Sequence, residues 1–244
     1  MEYRGSSVYE EEDFLAAYLS RRNRNESPNN AIERPIFLEL LGDFAGAEIL
    51  DLGCGDGYFG RELLGGGARS YTGIEASVQM KQKAEAILAG TNSQIFHRDI
   101  ASFPYPEAAY DIVASRFVIH YIADINALFQ EIHKALKPGG KFVFTVQHPL
   151  TTSSFGSKEL GDRRGDWRVD DYFIEGERRE PWINKTVIKH HRTTESYFTA
   201  LMGAGFNVAA LREGMPVRAN FSSEQEFNRR QRIPLMLIFS GVKE

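Results

Sequence analysis

The chain has 244 residues, 42% of them hydrophobic, with a formal net charge of −4 and a single cysteine, Cys54. That length supports one α/β domain with a sizeable core and room for an insertion. The mild acidity argues against a dedicated nucleic-acid binder, and a lone cysteine excludes an intrachain disulfide, so a reducing, cytoplasmic home is expected. The acidic stretch Glu10, Glu11, Glu12, Asp13 has no apolar signal core, and no run reaches membrane-spanning length, so no membrane association is expected.

Before the first strand, Phe14, Leu15, Tyr18 and Leu19 have the spacing of one helix face. Ser27-Pro28 is a break, and a second helix is predicted over 33–41. A strand follows over 47–52. It runs into Asp51-Leu52-Gly53-Cys54-Gly55-Asp56-Gly57, and a helix is predicted over 58–66, stopped by Gly65-Gly66-Gly67. A strand, a glycine turn and a helix start bring backbone close to a ligand, with the partial positive charge of the helix end nearby. The dinucleotide pattern Gly-x-Gly-x-x-Gly would need glycine where Tyr58 stands.

A second strand over 70–74 ends at Glu75, about 20 residues beyond the turn. There a carboxylate accepts hydrogen bonds from both hydroxyls of a ribose. Ser77 is the predicted N-cap of a helix to residue 88, with Met80 in its first turns. A third strand over 94–97 leads into His97-Arg98-Asp99-Ile100. After the loop Phe103-Pro104-Tyr105-Pro106 come a fourth strand over 110–115 and then Arg116-Phe117-Val118-Ile119-His120-Tyr121, at the carboxyl edge where open sheets bind ligands. His120 titrates in the range useful for proton transfer. A helix over 124–136, the turn Pro138-Gly139-Gly140 and a fifth strand over 141–146 follow, ending at Gln147-His148-Pro149.

From 150 to 192 the helix–strand rhythm stops, over a span too long for an ordinary connection. Phe155, Trp167, Tyr172, Phe173 and Trp182 alternate with charges of both signs. The expectation is a lid with short strands of its own, over the carboxyl edge of the sheet. Lys189, His190, His191 and Arg192 either bind an acceptor's carboxylate or phosphate or knit the lid together. No third and fourth ligand stands at a known spacing from the His pair, so no metal is expected. A helix over 194–202, strands over 206–211 and 235–241, and a charged helix over 224–232, read as a solvated face, complete the chain.

The glycine turn behind Asp51, the run Tyr110-Asp111-Ile112-Val113 and the turn Leu136-Lys137-Pro138-Gly139-Gly140-Lys141 resemble the class I S-adenosylmethionine (SAM) methyltransferases, well over 47–148 and through the last strands over most of the chain. Within that class the chain looks most like bacterial small-molecule methyltransferases related to the ubiquinone and menaquinone methylases. The resemblance implies an α/β fold: a Rossmann-like, seven-stranded, mostly parallel sheet with helices on both faces, plus an inserted lid after strand five. It implies a helical cap over 1–45, a SAM-binding core over 46–149 and 194–244, and a substrate lid over 150–193. It implies SAM as cofactor and S-adenosylhomocysteine as product, with in-line displacement onto an O, N or C nucleophile of a small molecule.

Carried onto this sequence, the resemblance implies a cofactor set of Asp51, Gly53, Gly55, Gly57, Glu75, Ala76, Met80, Asp99, Ile100 and Arg116. Asp99 would meet the adenine amino group and the Ile100 amide its ring. His120 is the candidate base. Tyr18, His148 and His191 are the candidate acceptor contacts, and Tyr9 or Tyr18 would help form the lid. After strand four the chain has Ser115-Arg116-Phe117, not the Asn/Asp-Pro-Pro-Tyr signature of amino-directed nucleic-acid methylases, so a nucleic-acid acceptor is not expected. Two other readings stay open at this point: a SAM-binding protein that transfers no methyl group, and an NAD-dependent dehydrogenase. The sequence leaves the acceptor and the oligomeric state undetermined.

Overall fold

A computed structural model describes residues 2–157 and 166–244. The first strand and helices are β1 (Glu2–Arg4), α1 (Glu12–Arg22) and α2 (Arg34–Leu41). Then come β2 (Glu48–Leu52), α3 (Tyr58–Gly65), β3 (Ser70–Glu75), α4 (Val78–Ile87), β4 (Ser93–His97) and β5 (Tyr110–Arg116). They are followed by α5 (Ile125–Ala135), β6 (Leu136–Gln147), α6 (Pro149–Thr152), β7 (Gly176–Trp182) and β8 (Lys185–His191). The last are α7 (Thr194–Gly203), β9 (Phe206–Arg212), α8 (Glu224–Arg230) and β10 (Met236–Lys243). No helix among the described residues is long and apolar enough to cross a membrane.

Seven strands form one sheet in the order β4-β3-β2-β5-β6-β10-β9. β10 runs antiparallel to both β6 and β9, and the pairs from β4 through to β6 are parallel. This is the expected mostly parallel, Rossmann-like sheet. The strand order reverses between β2 and β5, and the carboxyl ends of these two strands open the crevice where such sheets bind ligands.

Neighbouring residues of a strand point to opposite faces, and the core divides accordingly. Leu50, Val113, Phe142 and Phe144 pack on one face with α5 and α7 residues such as Phe129, Ile132 and Tyr197. Ile49, Ile112, Val143 and Ile238 pack on the other with Phe37, Phe59 and Leu63 from α2 and α3. Strands buried on both faces read as continuous apolar runs, which is why the sheet was legible in the sequence.

The lid is a two-stranded antiparallel ribbon, β7 with β8, running from Gly176↔His191 to Trp182↔Lys185. Of the residues expected in it, 158–165 lie outside the described residues. The ribbon does not stand alone. β1 pairs in parallel with β8, Glu2 with Thr186 through Arg4 with Ile188, so the N-terminal segment and the insertion share a three-stranded sheet. The N-terminal segment therefore contains a strand as well as helices. Three residues carry too little pattern to mark a strand, and its partner lies more than 180 residues away. Tyr3, Val8, Phe14 and Val187 form the small core beneath this sheet.

Candidate active site

The crevice at the sheet's carboxyl edge is a single cavity of about 720 Å³. That lies within the usual range for a small-molecule site, about 300–1,000 Å³. Its floor is the glycine turn. The Gly53 and Cys54 amides donate to the Ile74 carbonyl oxygen at 2.8 and 3.0 Å, which folds the turn back over β3. Gly53 has φ +76°, and a Cβ there would stand 2.3 Å from Val118 Cγ2, so only glycine fits beneath that side chain. Gly57 also has positive φ, +81°, but it faces α4, 2.9 Å from Ala84 Cα if a Cβ were added. It stands outside the cavity wall and caps α3, so packing, not ligand contact, explains it.

Two acids stand on this floor. Glu75 ends β3, with Oε2 accepting from the Gly55 amide and Oε1 from the Ser77 amide, both at 2.9 Å. It thereby ties the turn to the start of α4, and its remaining lone pairs can still accept hydroxyls. Burial pushes its carboxyl up, against the pull of those amides. Asp51 is 3% exposed and accepts from the Tyr71 hydroxyl at 2.6 Å. Burial raises it to about 6, opposed by the Tyr71 bond and by the Arg116 and Arg22 charges. Ala76, Met80, Asp99 and Ile100 continue the wall. Asp99 Oδ1 also caps a short turn by accepting from the Ala101 amide at 2.8 Å. Arg116 lines the cavity, where the expected cofactor contact is through its backbone, and its guanidinium turns onto the fully buried Glu33 and stacks 4.5 Å above Phe59. The next residue, Phe117, holds φ +61°, a strained conformation at the edge of the site.

The N-terminal segment roofs this floor. Arg22, in the last turn of α1, binds Asp56 of the glycine turn at 2.9 Å. Glu10 accepts from the Val78 amide at 2.7 Å, at the start of α4. Tyr9 and Tyr18 line the cavity and pack edge-on against each other and Trp182. The Tyr18, Tyr9 and Tyr121 hydroxyls hydrogen-bond in sequence, and burial raises all three pKa values.

His120 lines the cavity and is 1% exposed. Burial, with the positive charges of Lys189 and Arg192, drives it well below its ordinary value, so the imidazole is neutral at neutral pH. The Gln147 amide approaches its Nδ1 at 3.5 Å, a long contact. Beside it, Gln147 Oε1 is buried with no hydrogen-bond partner among the described residues.

The other predicted acceptor contacts lie elsewhere. His148 is buried outside the cavity wall, taking the Leu150 amide on Nδ1 and facing Glu213 on Nε2. His191 bonds Thr152 and the Tyr172 carbonyl through its two ring nitrogens and holds the lid's base together. Within the basic run, Lys189 and His190 both reach the cavity, Lys189 while paired with the buried Glu180, whereas Arg192 donates to the Ile122 and Ala123 carbonyls and His191 faces the lid's base. Sequence reasoning missed Arg229 and Arg230. These residues of the supposedly solvated helix line the cavity with Trp167. The available signal was the doubled arginine at the helix end, close before the last strand.

The sequence profile of the methyltransferase-domain family matches residues 20–211. A Haemophilus influenzae protein without a characterised function is 31% identical over 219 residues, 86% of each chain. A malonyl-[acyl-carrier protein] O-methyltransferase of Serratia marcescens is 30% identical over 156 residues, 61% of this chain and 56% of its own length. Among solved structures, an S-adenosylmethionine-dependent methyltransferase of Mesorhizobium loti matches with a TM-score of 0.79 and 31% identity, over 88% of this chain and all of its own.

Proposed function

We propose that this chain, which belongs to the SAM-dependent methyltransferase family, transfers the methyl group to a small molecule held between the glycine turn and the lid. SAM is the cofactor and methyl transfer is the reaction; the acceptor class and the residue roles are our reading. The observation that carries it is the single roofed cavity, with acidic strand ends below and buried aromatics from two distant segments above. A roof joined by β-pairing and held to the floor by Arg22–Asp56 suits an acceptor small enough to be enclosed.

The residues present fit the cofactor. Glu75 is a ribose-hydroxyl acceptor at a strand end, Gly53 and Gly55 let backbone approach, and Asp51 is a buried carboxylate suited to cationic groups. Asp99 and Ile100 are assigned to the adenine, with Met80 and Ala76 packing beside them. Bound SAM supplies a methyl group on a sulfonium that is already activated towards a nucleophile. The protein's contribution is then alignment and exclusion of water, and such positioning is worth roughly 7–11 kcal/mol. Tyr18, Tyr9 and Trp182 exclude water. His120 and Gln147 address the acceptor's reacting end, with neutral His120 the candidate to take a proton where the nucleophile carries one. The division into a cap over 1–45, a core over 46–149 and 194–244, and a lid over 150–193 follows the same reading.

S-adenosylhomocysteine release from SAM, measured against a panel of small acceptors, a carrier protein and RNA, tests this. Turnover confined to small acceptors is expected. Turnover on the carrier protein or RNA alone would overturn the small-molecule assignment.

A further inference from the structure

The wall formed by α8 carries more positive charge than its described neighbours neutralise. The Arg229 and Arg230 side chains are 19% and 15% exposed, and both lean on a single carboxylate, Glu226. The Nε of each is buried and has no hydrogen-bond partner among the described residues. Trp167 lies against this cluster, 5.9 Å from the Arg229 guanidinium and 5.0 Å from that of Arg232. Burial pulls Arg230 below its ordinary value against the opposing pull of Glu226, and the charges of Arg229 and Arg24 add to the effect. Arg22 lines the same cavity, but Asp56 already answers its charge. The cofactor floor is the reverse: Asp51, Glu75 and Asp99 stand there. One cavity is thus acidic on the glycine-turn wall and basic on the α8 wall.

The two Nε atoms are shut off from the cavity as well as from acceptors among the described residues, so an incoming group would meet the other, cavity-lining parts of these side chains, where two guanidiniums share one carboxylate and gain most from an ionised oxygen. The planar guanidinium matches carboxylate and phosphate in particular. We propose that Arg229 and Arg230 form an anion subsite that holds a carboxylate or phosphate group of the methyl acceptor. This rests on the small-molecule reading above and names the acceptor's chemical class. The anionic group anchors the acceptor on the α8 wall and leaves another part of the molecule to face His120 and Gln147.

The test is calorimetric titration of the S-adenosylhomocysteine-loaded protein with inorganic phosphate and, separately, with benzoate. Saturable binding of at least one is expected, weakened about tenfold or more in R229Q/R230Q while S-adenosylhomocysteine affinity is unchanged. Binding of phosphate alone assigns a phosphate ester, and binding of benzoate assigns a carboxylate. Should the double variant fail to fold, single R230Q leaves Arg229 to hold Glu226, and a weakening of about threefold or more is expected. The proposal is overturned if neither probe binds a wild type that binds S-adenosylhomocysteine, or if the folded variant binds them as well as wild type does. Turnover of neutral small acceptors, unaffected by R229Q/R230Q, would also overturn it while leaving the small-molecule reading intact. Turnover confined to a carrier protein would overturn the latter, and the titrations would still decide the subsite.

Discussion

The two walls of the cavity are built on different principles. The cofactor wall is assembled from strand ends and the turns that follow them: Asp51, Gly53, Gly55, Glu75 and Asp99 stand within 49 residues of one another. Their places are dictated by the parallel sheet, and much of the chemistry is backbone. The acceptor wall draws Tyr9 and Tyr18 from the N-terminal segment, Trp182 and Lys189 from the ribbon, and Arg229 and Arg230 from α8. These segments meet through side-chain packing and one three-stranded sheet. The first wall is a property of the fold; the second rests on side chains from segments outside the sheet, the kind of site that varies while one scaffold serves many acceptors.

Each wall has one deeply buried ion pair, and breaking them separates the two most sharply. Glu33 is fully buried, holding Arg116 and accepting from the Thr145 hydroxyl at 2.9 Å. Glu33→Ala strands a guanidinium under the main sheet and should lower global stability by about 3–5 kcal/mol, read from urea unfolding. Glu180 and Lys189 are 1% and 2% exposed. Glu180→Ala should cost about as much locally, but as faster hydrogen exchange confined to β1, β7 and β8, with the main sheet still protected. A single cooperative loss in both variants would mean that the walls fold as one unit.

Next in size is Glu75→Ala. It frees the Gly55 and Ser77 amides as well as removing the acceptor for the ribose. SAM affinity should fall by about 100-fold or more in calorimetry. If the glycine turn held its shape without Glu75, the loss would shrink to a few-fold and the cofactor wall would prove more self-sufficient than its hydrogen bonds imply.

The same contrast explains what the sequence reveals. Ile49, Leu50, Ile112, Val113 and their partners are apolar on both faces, and Gly53, Glu75 and Pro138-Gly139-Gly140 punctuate them. The seven-stranded sheet and the residues at its carboxyl edge follow from local pattern. Gly57 was assigned to the cofactor because its spacing matches Gly53 and Gly55, yet its missing Cβ makes room for Ala84. Spacing does not report which side of a turn a glycine faces. His148 stands at the active-side end of a strand and His191 in a basic run suited to an anion, yet their ring nitrogens are engaged by Leu150, Glu213, Thr152 and Tyr172. The β1–β8 pairing and the reach of Arg229 and Arg230 depend on contacts between distant parts of the chain, and no local pattern encodes them.

His120→Ala belongs to the boundary between the walls. SAM affinity should stay within about twofold of wild type, while turnover falls roughly 100-fold if the imidazole takes the acceptor's proton. His120 is already neutral, so its loss should leave the shape of the rate profile unchanged between pH 6 and 8. Unchanged turnover would remove it from the reaction and point to an acceptor whose nucleophile is ionised before it binds.

The smallest effect falls on Asp51 and depends on pH. Its carboxyl is raised to about 6, first by burial, so the folded protein holds this proton more tightly than the unfolded chain does. Its contribution to stability is complete below the ordinary carboxylate range, declines as pH rises towards 6, and is lost above it. At pH 8 Asp51→Asn should therefore be the more stable protein, by on the order of 1–2 kcal/mol, and below pH 4 the difference should vanish. Binding runs the other way. The ionised carboxylate favours the cofactor's cationic groups, so wild-type SAM affinity should weaken as pH falls through about 6, while the Asn variant binds more weakly with a flatter profile. Glu75 is also raised and titrates on the same wall, so a decline of equal steepness in both proteins would assign the dependence to Glu75. Asp51 is thus a group whose charge the unliganded fold resists, and its assignment to the cofactor's cationic groups predicts that binding favours that charge.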